Sequence, residues 1–594
     1  MNLSWSSPVV AGEAFGRRVA ELVEDLRRRE DRFALVLSVL IGAAVGLVIV
    51  AFVLITGRLA ARLYPVGGAD WRRIAVPTVG SLVTGWLLVR FFPEARGSGI
   101  PQTRAAIFVN EGGISLRTVV GKFVCCVMSL SSGIALGREG PSVHIGAGIA
   151  SVVSRRFGLS RAQVRWLIPV GASAALAAAF NTPIAAVLFS LEEIVGDLHA
   201  PILGSIVLSA VTSWMAMHLV LGNDPLFHVG AYQLVSSREL LAYVVLGIVG
   251  GLGSVGFVKL LLWLRLRFHA LPHETLWFQP VAGGLTVGLL GFAVPQVLGV
   301  GYDQVDRVLG GNVVLSFVVI LAVLKIVATA VCYASGNAGG IFGPSMFIGA
   351  MIGAAVGQVA HHAFPASTAG AGAYALVGMG TAFAGILRTP LTSVIMIFEV
   401  TRDYTIIVPL MTSNLIAFYI SQRLQHEPIY EALARQDGIH LPTGRFREQG
   451  RHLRVNGAVR EAPELLPVDE TVGWALARSA ATPLESWPVG DPVDFLGMVR
   501  VADLAAANPD ATVRDVLDRT GGSTAEQGFP HVHGDHPLGQ ALAIMGRTRL
   551  SVLPVVSRAN VRILLGVVTL ADILAAYGVE RAEEVPPDDM VRDD

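Results

Sequence analysis

The stretch Gly137-Arg138-Glu139-Gly140-Pro141 separates two uncharged runs of the chain, Val124 to Leu136 and Ser142 to Ser154. Ionisable residues inside otherwise apolar membrane sequence are energetically costly, and they usually mark an ion or substrate pathway. The glycines permit unusual backbone angles or close approach, and Pro141 suits the first turn of a helix. Because a helix N-terminus carries partial positive charge, the stretch predicts a place that holds an anion.

The composition is that of a polytopic membrane protein with a more polar region attached. Of the 594 residues, 53% are hydrophobic and 15% are charged, and the mean hydropathy is +0.59. Soluble domains carry about a quarter charged residues. The formal net charge is zero, so the composition indicates no nucleic-acid partner. The cysteines have neither metal-ligand nor disulfide spacing, so we expect no metal site and interpret them as buried apolar residues: Cys125, Cys126 and Cys332.

Residues 1–32 are expected to form a cytoplasmic N-terminal helix without a cleavable signal peptide. The segment from Glu13 to Arg32 is charged and has helical periodicity. By the positive-inside rule, the arginines before the first span place the N-terminus in the cytoplasm. These arginines are Arg17, Arg18, Arg27, Arg28, Arg29 and Arg32. Phe33 to Gly57 is uncharged and long enough to cross a bilayer, and Ile74 to Val89 is a second predicted span.

The membrane region contains an internal repeat. Residues 137–147 align without gaps on residues 340–350 in the frame G-x-x-G-P-S-x-x-I-G-A, and residues 181–192 align on 388–399. The order and spacing of the two matches are nearly preserved. The apolar runs are broken at 180–183, 335–340 and 388–390, and such breaks are tolerated at membrane depth only where the backbone is buried in protein or lines a cavity.

The sequence leaves open whether the two repeats are parallel or inverted. Inversion is the commoner arrangement when a transport site lies between broken helices. In that arrangement Glu139 and its repeat counterpart Phe342 would meet near the midplane from opposite sides.

From Val455 onward the sequence is that of a soluble region. Two short strand–turn–helix units are predicted. The final stretch of the first unit is Asp494–Asp503, that of the second is Arg562–Asp572, and residues 521–528 are a linker between the units. The paired design indicates a second, smaller internal repeat.

These residues resemble the CLC family of chloride channels and chloride/proton antiporters. Three signature loops are present in order, at 97–101 (GSGIP), 137–141 (GREGP) and 340–344 (GIFGP), and the tail resembles a tandem pair of CBS domains. The resemblance implies an all-α polytopic membrane domain of inverted repeats of broken helices, followed by a cytoplasmic α/β CBS pair. The implied divisions are 33–440 for the membrane domain (repeats about 33–222 and 240–425), 450–580 for the CBS pair (about 450–520 and 528–580) and 581–594 for a disordered acidic tail. It also implies a homodimer in the lipid bilayer of the cell (inner) membrane, with one pore per subunit.

By the same resemblance, chloride is bound by the Ser98 hydroxyl, the backbone N–H groups of Ile341 and Phe342, and the Tyr430 hydroxyl. The remaining expected chloride-site residues are Gly97, Arg138, Gly140 and Gly343. Serine at position 98 is the family's choice for chloride over nitrate. Without the resemblance, Tyr430 is interpreted as an interfacial anchor.

The resemblance makes Glu139 the gating glutamate and Glu193 the internal proton-transfer residue of an antiporter. The alternative interpretations are an ion pair with Arg138 and an exposed helix-end charge, respectively. Glu192 aligns with Glu399 and belongs to the shared frame, whereas Glu193 aligns with Val400 and is additional. We therefore expect chloride/proton antiport, with a passive voltage- or pH-gated chloride channel as the alternative.

The second CBS unit matches the ribose-binding pattern G-x-x-[ST]-x-x-D through Gly566, Thr569 and Asp572. In the first unit Arg500 replaces the hydroxyl residue. An adenine nucleotide (ATP, ADP or AMP) is therefore a candidate regulator with Thr569 and Asp572 as contacts, and a purely structural CBS pair is the alternative. A third hypothesis makes this nucleotide sensor the main function and the membrane part its anchor. No nucleophile–base constellation indicates an enzyme, and no other cofactor is expected.

Overall fold

The computed structural model describes residues 30–198, 202–439 and 453–576, apart from short gaps at 224–225, 228, 231, 233–234, 312–313, 402–403, 481–483, 492–493, 521–528 and 549. The chain divides into two compact units, Met1–Leu441 and Pro442–Asp594, and each is described by itself. Most of the expected N-terminal helix (1–32), the expected linker (521–528) and the expected acidic tail (581–594) lie outside the described residues.

Within its described residues the first unit is helical, and sixteen of the helices form two series of eight in the same order. The first series is α1 (Glu30–Leu63), α2 (Arg72–Arg90), α3 (Ile100–Phe108), α4 (Leu116–Ser131), α5 (Glu139–Arg156), α6 (Arg161–Phe180), α7 (Pro183–Phe189) and α8 (Leu203–Leu221). The second is α9 (Leu240–His269), α10 (Gln279–Ala293), α11 (Tyr302–Leu309), α12 (Leu315–Ala334), α13 (Phe342–Ala363), α14 (Ala371–Leu387), α15 (Pro390–Thr401) and α16 (Ile407–Leu424). A short helix, α17 (Ile429–Gln436), follows the second series.

Short 3₁₀ segments and one π-helical segment connect these helices. The 3₁₀ segments are Pro93–Ala95, Ser237–Glu239, His273–Thr275, Pro295–Val297 and Tyr404–Ile406, and the π-helical segment is Ser190–Val195. Within the described residues, seven helical segments are long and apolar enough to cross a membrane. The first unit is therefore a multi-span membrane domain, as the composition predicted.

The chain breaks predicted at 180–183 and 388–390 are confirmed, and both have the same geometry. Helix α6 ends at Phe180, and Asn181 then adopts a left-handed conformation with φ 61°. Helix α14 ends in the same way at Arg388, with φ 62°. In each case a proline begins the next helix, where its missing N–H leaves no intrahelical bond unmade.

The two repeats contact each other through equivalent residues. Gly137 N–H donates to the Gly340 carbonyl at 2.7 Å, and Gly340 N–H donates to the Gly137 carbonyl at 2.8 Å, in an antiparallel pair. Because these two glycines align in the repeat, their reciprocal bonds define a local two-fold relation between the repeats. The signature loops at 137–141 and 340–344 are joined at this point.

Two glutamates form a second reciprocal contact between the repeats, in which each caps a helix of the other repeat. Glu399 of α15 accepts hydrogen bonds from the backbone N–H groups of Ile184 (3.0 Å) and Ala185 (2.9 Å), in the first turn of α7. Glu192 in turn accepts from Leu391 (3.3 Å) and Thr392 (2.8 Å), in the first turn of α15. Each carboxylate thus satisfies N–H groups that have no partner within their own helix. The alignment of Glu192 with Glu399 therefore identified a shared structural element.

Glycine pairs bring consecutive helices into close contact in both repeats. A Cβ on Gly146 of α5 would lie 2.2 Å from the Gly171 carbonyl oxygen of α6, and a Cβ on Gly349 of α13 would lie 2.2 Å from that of Gly378 of α14. Close backbone approach through small residues is how helices pack where lipid removes the hydrophobic driving force. Glycine at these four positions is required by packing.

The part of the second unit that the structure describes contains two antiparallel hairpins. Strand β1 (Ser486–Gly490) pairs with β2 (Phe495–Arg500), and β3 (Val552–Val556) pairs with β4 (Leu564–Thr569). Each hairpin has a register shift near the end of its first strand and leads directly into a short helix. The helices are α18 (Val472–Ser479), α19 (Val501–Ala505), α20 (Val513–Thr520), α21 (Leu538–Thr548) and α22 (Leu570–Ala576), with a 3₁₀ segment at Val455–Gly457. Both predicted strand–turn–helix units are present.

The Glu399→Ala variant tests the exchange of caps between repeats. Loss of the carboxylate leaves two N–H groups of α7 without their partner, and we expect a loss of roughly 1–2 kcal/mol in stability. The measurement is the thermal unfolding temperature of the detergent-solubilised protein. Asp70→Ala is the control, because Asp70 pairs with Arg73 at 2.9 Å on an exposed surface and should contribute less than about 1 kcal/mol. Equal shifts in the two variants would contradict the assignment.

Candidate ion-binding site

The site lies where two helix N-termini and the Ser98 loop converge. Helix α5 begins at Glu139 and α13 begins at Phe342, next to the Gly137–Gly340 pair. A Cβ on Gly140 would lie 2.6 Å from the Ser98 carbonyl oxygen and 3.5 Å from the Gly340 Cα. The three signature loops recognised in the sequence therefore meet at one place.

The Glu139 carboxylate is fully buried and lies at the N-terminus of α13, in the opposite repeat. Its Oε2 accepts a hydrogen bond from the Gly343 N–H at 3.2 Å, and its Oε1 accepts one from the Tyr302 hydroxyl. A Cβ on Gly137 would lie 2.3 Å from the same Oε2, so glycine there leaves room for the carboxylate. The first turn of α13 thus contacts the carboxylate through a backbone donor, as helix N-termini do with anions.

Arg138 is not the main partner of Glu139, contrary to the alternative interpretation of the two residues as an ion pair. Its Nε lies 3.9 Å from Glu139 Oε1, which is beyond hydrogen-bond distance. Its guanidinium carbon lies 5.5 Å from the centre of the Tyr302 ring, and its NH2 donates to the Ala179 carbonyl at 3.3 Å. The hydrogen bonds of the Glu139 carboxylate come from Tyr302 and Gly343, so an ion pair does not account for its position.

Sequence reasoning missed Tyr302. It is the first residue of α11 and follows Gly299-Val300-Gly301, the repeat counterpart of Gly97-Ser98-Gly99. In both loops a buried lysine holds the carbonyl of the first glycine at 2.5 Å, Lys122 at Gly97 and Lys325 at Gly299. Both loops have positive φ at both glycines, which glycine tolerates. Extending the repeat alignment upstream of residue 137 would have revealed this fourth loop.

Ser98 and Tyr430 supply buried hydroxyl groups. Both residues are at most 1% exposed, and neither Ser98 Oγ nor Tyr430 Oη makes a hydrogen bond within the described residues. Tyr430 lies on α17 within electrostatic range of both Glu139 and Glu193. A buried hydroxyl without an acceptor costs about 1–3 kcal/mol. Chloride would supply that acceptor, so the two residues fit a bound anion. The burial of Tyr430 argues against its alternative role as an interfacial anchor.

Phe342 closes one side of this region with an aromatic cluster. It is fully buried, and its ring centre lies 4.9 Å from that of Phe180, 5.4 Å from that of Phe189 and 4.4 Å from that of Phe383. As the first residue of α13, Phe342 has an N–H without a partner inside the helix. The cluster surrounds a backbone donor with apolar side chains, which strengthens electrostatic attraction to an anion.

Glu193 is buried and paired. It lies in the π-helical segment Ser190–Val195, is 7% exposed, and accepts a hydrogen bond from Arg104 NH1 at 2.8 Å. The alternative interpretation as an exposed helix-end charge is therefore wrong, because α7 continues into a segment packed against α3. Arg104 also contacts Glu431 Oε1 at 3.0 Å. No sequence motif indicated Arg104 or Glu431 as a partner of Glu193.

In the second unit, Thr569 and Asp572 hydrogen-bond each other across the first turn of α22. Asp572 Oδ2 accepts from the Thr569 N–H at 3.0 Å and from its hydroxyl at 2.6 Å, and Arg460 pairs with Asp572 Oδ1. Burial opposes ionisation of Asp572, but the bonds from Arg460 and Thr569 outweigh it and hold the pKa of this carboxyl below its ordinary value. At the equivalent place after the first hairpin, Arg500 pairs with Asp503 at 2.7 Å.

A family model described as "Voltage gated chloride channel" matches residues 80–422, more than half of the chain. The chain belongs to the CLC family of chloride channels and transporters. A CBS-domain model matches residues 526–578. The first unit is therefore a CLC membrane domain for chloride transport, followed by a small α/β region with a CBS domain. The expected family and fold class are confirmed, and the chain is a transport protein rather than an enzyme.

Named relatives agree with this family assignment, and a solved structure shows the same fold. The chain is 32% identical to the H(+)/Cl(−) exchange transporter ClcA of Vibrio campbellii over 370 residues, which cover 61% of this chain and 78% of that protein. It is 31% identical to ClcA of Salmonella arizonae over 443 residues, covering 71% and 93% of the two chains. A solved eukaryotic CLC transporter has the same fold with a TM-score of 0.63 at 21% identity, covering 92% of this chain and 98% of the other.

The Gly137→Ala variant tests the packing of the Glu139 carboxylate. The new methyl group would overlap Glu139 Oε2, whereas a Cβ on the equivalent Gly340 meets its nearest atom at 3.2 Å. We expect Gly137→Ala to lower the thermal unfolding temperature more than Gly340→Ala does. The Glu139→Ala substitution should recover part of the loss in the double variant, because the overlapping oxygen is gone. Additive losses in the double variant would contradict this geometry.

Proposed function

We propose that this protein exchanges chloride for protons across a membrane, with Glu139 as the gate and Glu193 as the internal proton-transfer residue. The observation that carries the proposal is the contact between the Glu139 carboxylate and the Gly343 N–H at 3.2 Å. It puts a titratable anion on donors that would also attract chloride. The relatives named as H(+)/Cl(−) exchange transporters support the same activity.

Chloride would be held by partial positive charges. The proposed ligands are the Ser98 and Tyr430 hydroxyls, which are buried without acceptors, together with the N–H groups of Ile341 and Phe342 at the start of α13. Gly97 and Gly140 allow the loops to approach closely, and the Gly343 N–H serves the outer position that Glu139 now contacts. Weak dipolar ligands bind an anion without trapping it.

The ionised Glu139 carboxylate and chloride would compete for the same outer position. When Glu139 binds a proton, its attraction to the N-terminus of α13 falls, and the Gly343 N–H becomes available to chloride. Arg138 would draw anions toward this entrance. Chloride would therefore reach the outer position only when Glu139 carries a proton. This residue alone would then couple the movements of the two ions.

Glu193 would relay protons between the interior solution and Glu139. Its burial removes it from bulk water, and the Tyr430 hydroxyl lies in electrostatic range of both glutamates. Buried carboxylates inside a membrane domain commonly belong to proton relays. The cation of Arg104 holds Glu193 in a defined position.

Further proposals concern assembly and regulation. We propose a homodimer in the cell (inner) membrane with the N-terminus and a tandem CBS pair on the cytoplasmic side, with the domain divisions expected from the sequence. The two equivalent hairpins, each leading into a short helix, support the pair. An adenine nucleotide would contact Thr569 and Asp572 of the second CBS unit after their mutual hydrogen bonds rearrange.

Flux measurements from reconstituted vesicles test the exchange. An outward chloride gradient should drive protons inward against their gradient. Glu139→Gln should abolish this proton movement while chloride flux persists, because glutamine neither ionises nor carries a proton. Chloride flux without proton movement in the unsubstituted protein would instead favour a passive channel. A Glu139→Gln variant that still pumps protons would contradict the gate assignment.

A further inference from the structure

Arg104 lies between two carboxylates in the interior of the membrane domain. Its NH1 contacts Glu193 Oε1 at 2.8 Å, and its NH2 contacts Glu431 Oε1 at 3.0 Å. The side chains of Arg104, Glu193 and Glu431 are 5%, 8% and 15% exposed, respectively. Buried charges at these distances interact strongly, because little solvent screens them.

The three residues come from elements that also carry the chloride site. Arg104 is on α3, the helix that begins directly after the Ser98 loop, and Glu431 follows Tyr430 on α17. Glu193 joins them from the π-helical segment Ser190–Val195. The cluster therefore connects the proposed internal proton residue to both elements that supply the unpartnered hydroxyls.

The charge of the cluster is not balanced when both carboxylates are ionised. One guanidinium faces two carboxylates, so the fully ionised cluster carries one net negative charge. Carboxylates that share a buried site disfavour ionisation of both, and they titrate as a coupled pair. Binding of one proton neutralises the cluster.

We propose that Arg104, Glu193 and Glu431 form one proton-binding site, in which Glu431 is the second carboxylate and Arg104 is the positioning residue. The role in transport rests on the proposed exchange of chloride for protons. Glu431 has the more exposed side chain of the two carboxylates and receives the proton from water. One proton on either carboxylate leaves the net charge of the cluster at zero.

Other charged and titratable groups surround the cluster. Glu192 is adjacent to Glu193 and is held by the N–H groups of α15, and the Tyr430 hydroxyl interacts electrostatically with Glu193. Arg388 interacts electrostatically with Glu431. These groups remain unchanged in the variants below, so the differences between variants report on Arg104 and Glu431.

Infrared spectroscopy of the protein in lipid membranes measures the protonation directly and needs no transport activity. The C=O stretching band of a protonated carboxyl group is followed against pH, and Glu193→Gln identifies the contribution of Glu193. Loss of the cation in Arg104→Gln should move the midpoint of this band to higher pH, by about one unit or more. Loss of the second carboxylate in Glu431→Gln should move it to lower pH, because Glu193 then keeps the cation to itself.

Two further variants complete the comparison. Glu427→Gln is the matched control, because Glu427 precedes α17 and pairs with the exposed Arg435 at 3.1 Å, and it should leave the midpoint unchanged. Arg104→Lys restores the cation and should return the midpoint toward that of the unsubstituted protein. If Arg104→Gln fails to fold, the acid shift in Glu431→Gln alone decides the outcome.

The inference is overturned if Glu431→Gln leaves the Glu193 midpoint where the Glu427→Gln control leaves it, or moves it to higher pH. Flux measurements on the same preparations test the proposed chloride/proton exchange separately from the shared proton-binding site. Chloride flux without proton movement in the unsubstituted protein would remove the proposed exchange, while the infrared midpoints would still decide whether the three residues bind a proton as one site.

Discussion

The ion-binding site of the membrane domain is organised around the contact between a buried carboxylate and a helix N-terminus. Glu139 is fully buried, so its carboxylate oxygens need hydrogen-bond donors from the protein. The Gly343 N–H and the Tyr302 hydroxyl supply them. Neither donor is a full cation: one is a backbone N–H and the other is a side-chain hydroxyl.

The internal repeat explains how this contact is built. Each repeat supplies one glycine-lined helix start, and the two starts are joined by reciprocal hydrogen bonds between Gly137 and Gly340. Glu192 and Glu399 exchange helix caps in the same way, and Lys122 and Lys325 hold equivalent loops. The framework is thus two-fold, whereas the chemical groups placed on it differ: Glu139 stands where the second repeat has Phe342.

Much of this arrangement was predictable from the sequence, and the reasons are specific. The frame shared by residues 137–147 and 340–350 identified the repeat, and the uncharged runs around Glu139 identified a buried ionisable residue. Tyr302 was not predicted because its loop, Gly299-Val300-Gly301, lacks the proline that marks the three signature loops. Arg104 and Glu431 could not be found, since their contacts join three elements that are far apart in the chain. Long-range pairs of this kind have no local pattern.

In the proposed exchange, the Glu139 carboxylate and a permeant anion occupy the same place at the start of α13. Anomalous diffraction from crystals of the Glu139→Gln variant grown in bromide tests it directly. We predict a bromide peak within hydrogen-bond distance of the Gly343 N–H, where the unsubstituted protein has the Glu139 carboxylate. Bromide bound elsewhere in the domain, with none beside Gly343, would contradict it.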